Sequence, residues 1–159
     1  MKPFFDHQRH VIRLLAVADR WLGTPWCANS QSIGERGGVS CHNLPRAIYI
    51  ECGALPPEFP KFIGDPNGTR HGRVSEMEPV IDARPEFRRL AADEPRQPGD
   101  LIGLRIYHCV DHLGVLLCNH IFIHVLMHKK TDMDWVNVPP WQQRSPVAWR
   151  PLAVPQLPN

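Results

Sequence analysis

The sequence predicts an α+β fold in which helices near the N-terminus pack on an antiparallel sheet supplied by the C-terminal part. Three observations carry this. Within the first 53 residues, apolar side chains recur at helical spacing. Prolines then break the chain repeatedly between positions 55 and 100. After "QPGD" (97–100) the apolar residues collect in short runs rich in Val, Ile and Leu. Helices first and strands afterwards is the α+β order, distinct from alternating β-α-β units. At 159 residues the chain is expected to form one domain, 1–159, large enough to bury a core without disulfides or a metal.

The elements follow in order. Asp6 is a plausible N-cap, and Val11, Leu14, Leu15, Ala18 and Leu22 share one face of a first helix that Gly23 ends in the left-handed conformation. "TPWCANSQSIGERGGVS" (24–40) is polar and glycine-containing and reads as a long surface loop, a length that favours function over mere connection. A second helix runs from near Cys41 to Cys52, with Gly53 as its stop. Pro45 is harmless only in the first turn, where N–H groups have no helical partner, so the cap falls between Cys41 and Asn43. Short helices are expected around "VSEMEPVI" (74–81) and "RPEFRRLAA" (84–92). The runs "LIGLRIY", "DHLGVLLC", "IFIHVLM" and "DWVNV" are spaced like an antiparallel meander, and "VAWRPL" (147–152) offers a last strand.

Composition narrows the function classes. Eighteen Lys+Arg against sixteen Asp+Glu give a net charge of +2, too weak a field to point to nucleic acid or a membrane surface as partner. No stretch approaches the ~18 apolar residues of a membrane span, and "MKPFFDHQRH" lacks the apolar core of a signal peptide, so the expected site of synthesis is the cytoplasm. Five cysteines (27, 41, 52, 109 and 118) at irregular spacing fit reduced thiols better than a disulfide framework.

Chemistry enters at Cys41. A thiol at a helix N-terminus feels unpaired N–H groups and the positive end of the helix dipole, which favour the thiolate. The competing reading is an inert buried thiol, since free cysteine is among the most buried residue types. A nucleophile also needs a base that is itself oriented by a third group. His112 and His124, on consecutive strands joined at "CNH" (118–120), are the candidates. A two-residue turn at Asn119–His120 puts His124 opposite Val115, on the face His112 does not share. An odd-length turn or one bulge puts it opposite Gly114, on the shared face. A histidine dyad therefore requires that odd residue. The rival reading is zinc, because His108, Cys109, His112, Cys118, His120, His124 and His128 crowd one stretch; against it stand the lack of a paired "CxxC" and strand-forming residues where the histidine spacing is helical. His7, His10 and His71 share no motif and read as solvated or loop histidines.

The pieces taken together resemble the NlpC/P60 family of cysteine peptidases, closest to the cell-wall peptidases of phage tails and prophages. The residues that carry the resemblance are "LGTPW" (22–26), "VSC" (39–41), "QPGDLIGLR" (97–105), "DHLGVLL" (111–117), "FIHVL" (122–126) and the Trp-containing "VPPWQQRSPVAWRP" (138–151). The resemblance implies a papain-like NlpC/P60 fold in which Cys41 attacks a peptide carbonyl, His112 acts as base and then acid, and His124 orients His112. It implies a murein stem-peptide substrate, no cofactor and no metal, and a phage-tail setting with tail proteins as partners and the virion as destination. Trp26 stands where the family has a tyrosine associated with the oxyanion region; its indole N–H donates one hydrogen bond and accepts none, so it is either an oxyanion donor or a packing aromatic at the cleft edge. The family's "DCSG" is "SCHN" here. Ser40 in place of Asp removes a carboxylate expected to hold the amino group of a murein peptide. His42 and Asn43 are bulkier than Ser and Gly, and either retune the cleft or mark a degenerate site, leaving an inactive structural or binding relative as the alternative.

Overall fold

A computed structural model describes residues 1–61, 77–106 and 108–153. The first helix, α1, spans Gln8–Trp21. It begins later than expected because Asp6 closes a short 3-10 turn, Phe4–Asp6, that sends Phe5 into the core. Its buried face is Leu14, Val17, Ala18 and Trp21, a rotation from the expected one that leaves Leu15 41% exposed. The largest apolar side chain, Trp21, sets that rotation, and its indole N–H donates to Glu51 Oε1 at 2.8 Å. Gly23 takes the left-handed conformation, φ +77°.

The segment 24–40 is more ordered than a surface loop. Strands β1 (Gln31–Ser32) and β2 (Gly38–Val39) pair antiparallel within it, and Thr24, Val39 and Ser40 are buried. Helix α2 spans Asn43–Cys52, with Pro45 in its first turn and Gly53 left-handed at φ +82°. Tyr49 on α2 donates its buried hydroxyl to the Gly99 carbonyl at 2.9 Å, fastening the helix to the turn that opens the sheet. Gly99 itself has φ +90°, and a Cβ there would fall 2.1 Å from the Phe5 ring, so the turn admits no side chain.

Helix α3 covers Met77–Asp82, overlapping the expected 74–81 region and running one residue past it; 74–76 lie outside the described residues, as do His71 and the tail beyond Ala153. The expected helix at 84–92 is instead strand β3, Phe87–Arg89. Pro85 and a short length leave little for a helix to gain, whereas the open edge of the last strand offers a ready ladder. Strands β4 (Leu101–Ile106), β5 (Cys109–Cys118), β6 (Ile121–His124), β7 (Asp132–Trp135) and β8 (Val147–Pro151) complete a six-stranded sheet in the order β3-β8-β4-β5-β6-β7, every pair antiparallel. The meander is therefore as expected, with β8 returning to the far edge of β4. Asp100, fully buried, receives two hydrogen bonds of 2.9 Å from Arg150 of β8 and one from the Gln97 amide.

Alternation along the strands gives the sheet two apolar faces. Leu101, Leu113, Val115, Ile123 and Trp149 pack with α1 and α2. Ile102, Leu104, Leu116, Phe122, Val136, Trp141 and Ala148 form a smaller cluster on the other face.

Candidate active site

Cys41 sits at the entrance to α2. The carbonyl of Ser40 accepts the Leu44 amide at 2.9 Å, and its hydroxyl accepts the Asn43 amide at 3.3 Å. By these bonds Ser40 is the cap of the helix and Cys41 its first residue, two positions before the regular helical span. Serine and aspartate cap equally well, so Ser40 in place of an aspartate still starts the helix. Asn43 is fully buried and turns its amide to the Ser40 hydroxyl at 3.1 Å, away from any crowding of the cleft.

Strand β5 meets the register condition by a bulge. Asn119 and His120 form a two-residue turn with positive φ at both positions, and Cys118 pairs with Ile121. The register then shifts between Leu116 and Cys118, so Leu116 pairs with Phe122 and Val115 with Ile123. The extra residue, Leu117, brings His124 across from Gly114 and onto the face of His112. His112 Nε2 lies 2.9 Å from His124 Nδ1, with both rings buried. Trp141 covers the pair, stacking on His112 at 5.5 Å and standing edge-on to His124 at 4.8 Å. Phe122 stacks on the other side of His124 at 4.5 Å.

A second irregularity lies just before His112. Arg105 of β4 pairs with Val110 and Leu104 with His112, so Asp111 is the extra residue of a bulge. Bulges re-aim groups out of the ladder. Here the Asp111 carbonyl accepts a 2.9 Å hydrogen bond from His42 Nε2, and the Cys41 sulfur lies 3.8 Å from the same oxygen. The Asp111 carboxylate stands 3.6 Å from His42 Nε2.

The electrostatics follow from this packing. Burial by itself would push the Cys41 thiol up, but the charge of His42 and hydrogen bonds from His112 and His42 outweigh it and bring the pKa from 9.0 down to about 5. His42 shifts the other way: burial opposes its charge, yet the Cys41 thiolate and Asp111 raise it well above 6.5. His124 is pressed down to about 3, first by burial and then by His112, with Asp134 opposing. These shifts favour the thiolate form of Cys41 and the neutral imidazole form of His124. By contrast Cys52, in the body of α2, is pushed up to about 12 by burial.

Cys41, His42 and His112 line one cleft of about 170 Å³ with Trp26, Ser40, Asp111, Ala28, Asn29, Ile106, Leu126 and Met127. All six residues singled out from the sequence are therefore found together: five border the cleft, and His124 stands behind His112. The sequence reading missed three participants. Asp111 was passed over as a neighbour of His112. Asp134 lies on β7 with Oδ2 4.0 Å from His124 Nε2, and Trp141 Nε1 donates to that same oxygen at 2.5 Å. The available signals were the adjacency in "DH" and the tryptophan of the closing motif. Among the described residues no three His, Cys, Asp or Glu side chains are grouped to hold a metal ion. Among them, too, no helix is long and apolar enough to cross a membrane.

No protein-family model matches the chain, and no curated protein does. Solved structures do resemble it. A lipoprotein-like NLP/P60 family protein from Staphylococcus aureus superposes with a TM-score of 0.64 at 17% identity, covering 97% of this chain and 45% of its own. The NlpC/p60 domain of the peptidoglycan hydrolase SagA gives 0.56 at 14% identity, over 89% of this chain and 98% of that one. RipD from Mycobacterium tuberculosis, described as a non-catalytic NlpC/p60 domain protein adapted to peptidoglycan binding, gives 0.55 at 14%, over 93% and 100%. The architecture of helices on an antiparallel sheet is that of the NlpC/P60 fold.

Proposed function

We propose that this chain, folded like the NlpC/P60 proteins, is a cysteine amide hydrolase that cleaves bacterial cell-wall peptides. The observation that carries the reading is that Cys41 and His112 border one cleft, with His124 Nδ1 2.9 Å behind His112 Nε2. The Cys41 thiolate attacks the carbonyl carbon of the scissile amide, and the carbonyl π electrons move onto oxygen. His112, protonated, gives its proton to the departing amine nitrogen as the C–N bond breaks, leaving a thioester on Cys41. His112, now neutral, takes a proton from water, whose oxygen attacks the thioester; collapse releases the acid and restores the thiolate and the imidazolium.

His124 fixes the direction of this traffic. Held neutral, it accepts the His112 Nε2–H at Nδ1 and so carries its own proton on Nε2, toward the Asp134 carboxylate. The other nitrogen of His112, Nδ1, is left for the sulfur. Trp26 borders the cleft as the candidate oxyanion donor or aromatic wall. The chain 1–159 acts in this reading as one such domain. Murein as substrate draws support from SagA and RipD, which act on or bind peptidoglycan by their descriptions. The phage-tail setting rests on the sequence resemblance. The test is release of soluble fragments from purified murein by the wild-type chain and its loss in Cys41→Ala. Equal release by the variant refutes the cysteine mechanism, and binding without release by the wild type assigns the chain a non-catalytic role of the RipD kind.

A further inference from the structure

We propose that His42, anchored by Asp111, is a second imidazole serving Cys41, a positioning residue whose cation keeps the sulfur ionised independently of His112. The inference rests on the reading of Cys41 as the reactive thiol. It explains the feature of "SCHN" that departs most from the family pattern: the histidine stands next to the nucleophile in sequence and returns to it in space.

The geometry comes from the bulge at Asp111, which turns that residue's carbonyl out of the β4–β5 ladder toward α2. His42 Nε2 and the Cys41 sulfur both reach this oxygen, at 2.9 and 3.8 Å. A carbonyl only accepts, so Nε2 carries a proton. Of the two donors, the imidazole N–H is within good hydrogen-bond distance and the thiol is a weak donor at long range. The carbonyl therefore holds the Nε2–H in the neutral and the charged ring alike, and it is the neighbouring carboxylate that favours the charge. The Asp111 carboxylate at 3.6 Å adds opposite charge on the same ring, whose side chain is only 15% exposed. The titratable groups facing His42 are Cys41 from its own turn and Asp111 from β5; His112, next along β5, faces the same sulfur. The raised pKa of His42 and lowered pKa of Cys41 agree with this contact.

Two imidazoles divide the labour. In a lone thiolate–imidazolium pair, the histidine that must become a base for water is also the sulfur's sole counter-ion. Here His42 remains charged while His112 loses and regains its proton, so His112 cycles without neutralising the site.

The experiment is the pH dependence of iodoacetamide alkylation at Cys41, read by peptide mass spectrometry, which needs no substrate. The wild-type rate is expected to rise with a midpoint near pH 5. His42→Gln and Asp111→Asn are expected to move the midpoint upward by a unit or more, and His42→Lys, which restores a cation, to bring it back down. A His42→Gln midpoint within a few tenths of wild type overturns the proposal, as does a Lys variant no lower than the Gln variant, since a purely structural role would respond to shape and not to charge. If the midpoint moves while murein is not cut, the substrate reading alone fails. If Cys41 in the wild type is no faster than an ordinary free thiol near neutral pH, both fail.

Discussion

Gly114→Ala tests how closely the histidine pair is tuned. Gly114 lies across β5–β6 from His124, and an added Cβ would sit 2.6 Å from Phe122 Cδ2 and 2.8 Å from the Ile123 carbonyl oxygen. Ordinary contact begins near 3.4 Å, so the backbone oxygen must recede by roughly 0.6 Å and the ring by roughly 0.8 Å. Neither moves alone: Phe122 is stacked on His124 and stands edge-on to Trp141, and Ile123 immediately precedes His124 in β6. Overpacking of this kind costs about 1–3 kcal/mol, a loss of roughly 2–4 °C in Tm for each kcal/mol in a chain of this size. The displacement also opens the 2.9 Å His112–His124 bond, and misplacement approaching an ångström lowers rates by up to about 100-fold. Thermal unfolding with turnover below the transition reads both effects. A variant with wild-type Tm and wild-type kcat would refute the claim that the bulge and the bare glycine set the dyad's distance.

Two further outcomes concern stability. Asp100→Asn removes the bidentate carboxylate from the Arg150 guanidinium, 9% exposed, while Glu94 keeps its 2.9 Å pair with it, and is expected to cost about 1–3 kcal/mol in urea unfolding; a change below about 0.5 kcal/mol would contradict the assigned role. His124 makes the fold acid-sensitive. Its pKa falls from 6.5 unfolded to about 3 folded, so between those values the unfolded chain binds the extra proton and stability drops as pH is lowered through that window. At 1.36 kcal/mol per unit the full loss is on the order of 4–5 kcal/mol. His124→Gln should flatten that slope in denaturation curves taken from pH 7 to pH 4, and an unchanged slope would place the acid sensitivity elsewhere.

The sequence carried the element order because its signals are local: helical periodicity before Gly53, β-branched runs after Asp100, and glycines at the two helix ends. It also posed the right condition on the hairpin, one odd residue, without showing where that residue would fall. The choice of Leu117 depends on which apolar side chains the helices require from β5, a tertiary matter. The same limit explains the misread segment at 84–92, whose strand exists because β8 has a free edge to offer. Asp111 and Asp134 were illegible for a related reason. Each gains its meaning from a group on another element, His42 for one and Trp141 with His124 for the other. Conversely His42, which from the sequence either retunes the cleft or marks a degenerate site, gains a partner once the carbonyl it faces is known.

The sulfur and His42 belong to the helical layer and His112 and His124 to the sheet, with Cys41 and Asp111 70 positions apart in sequence. Neither layer holds a functioning centre by itself. Such long-separation contacts form late, because distant parts of the chain must meet before they reward one another. The chain is therefore expected to stay chemically silent while it is being synthesised and to acquire reactivity in its final docking step. In refolding, fast alkylation at Cys41 should lag behind the return of helical circular dichroism. Thiol reactivity assembled across two layers in this way carries its own delay.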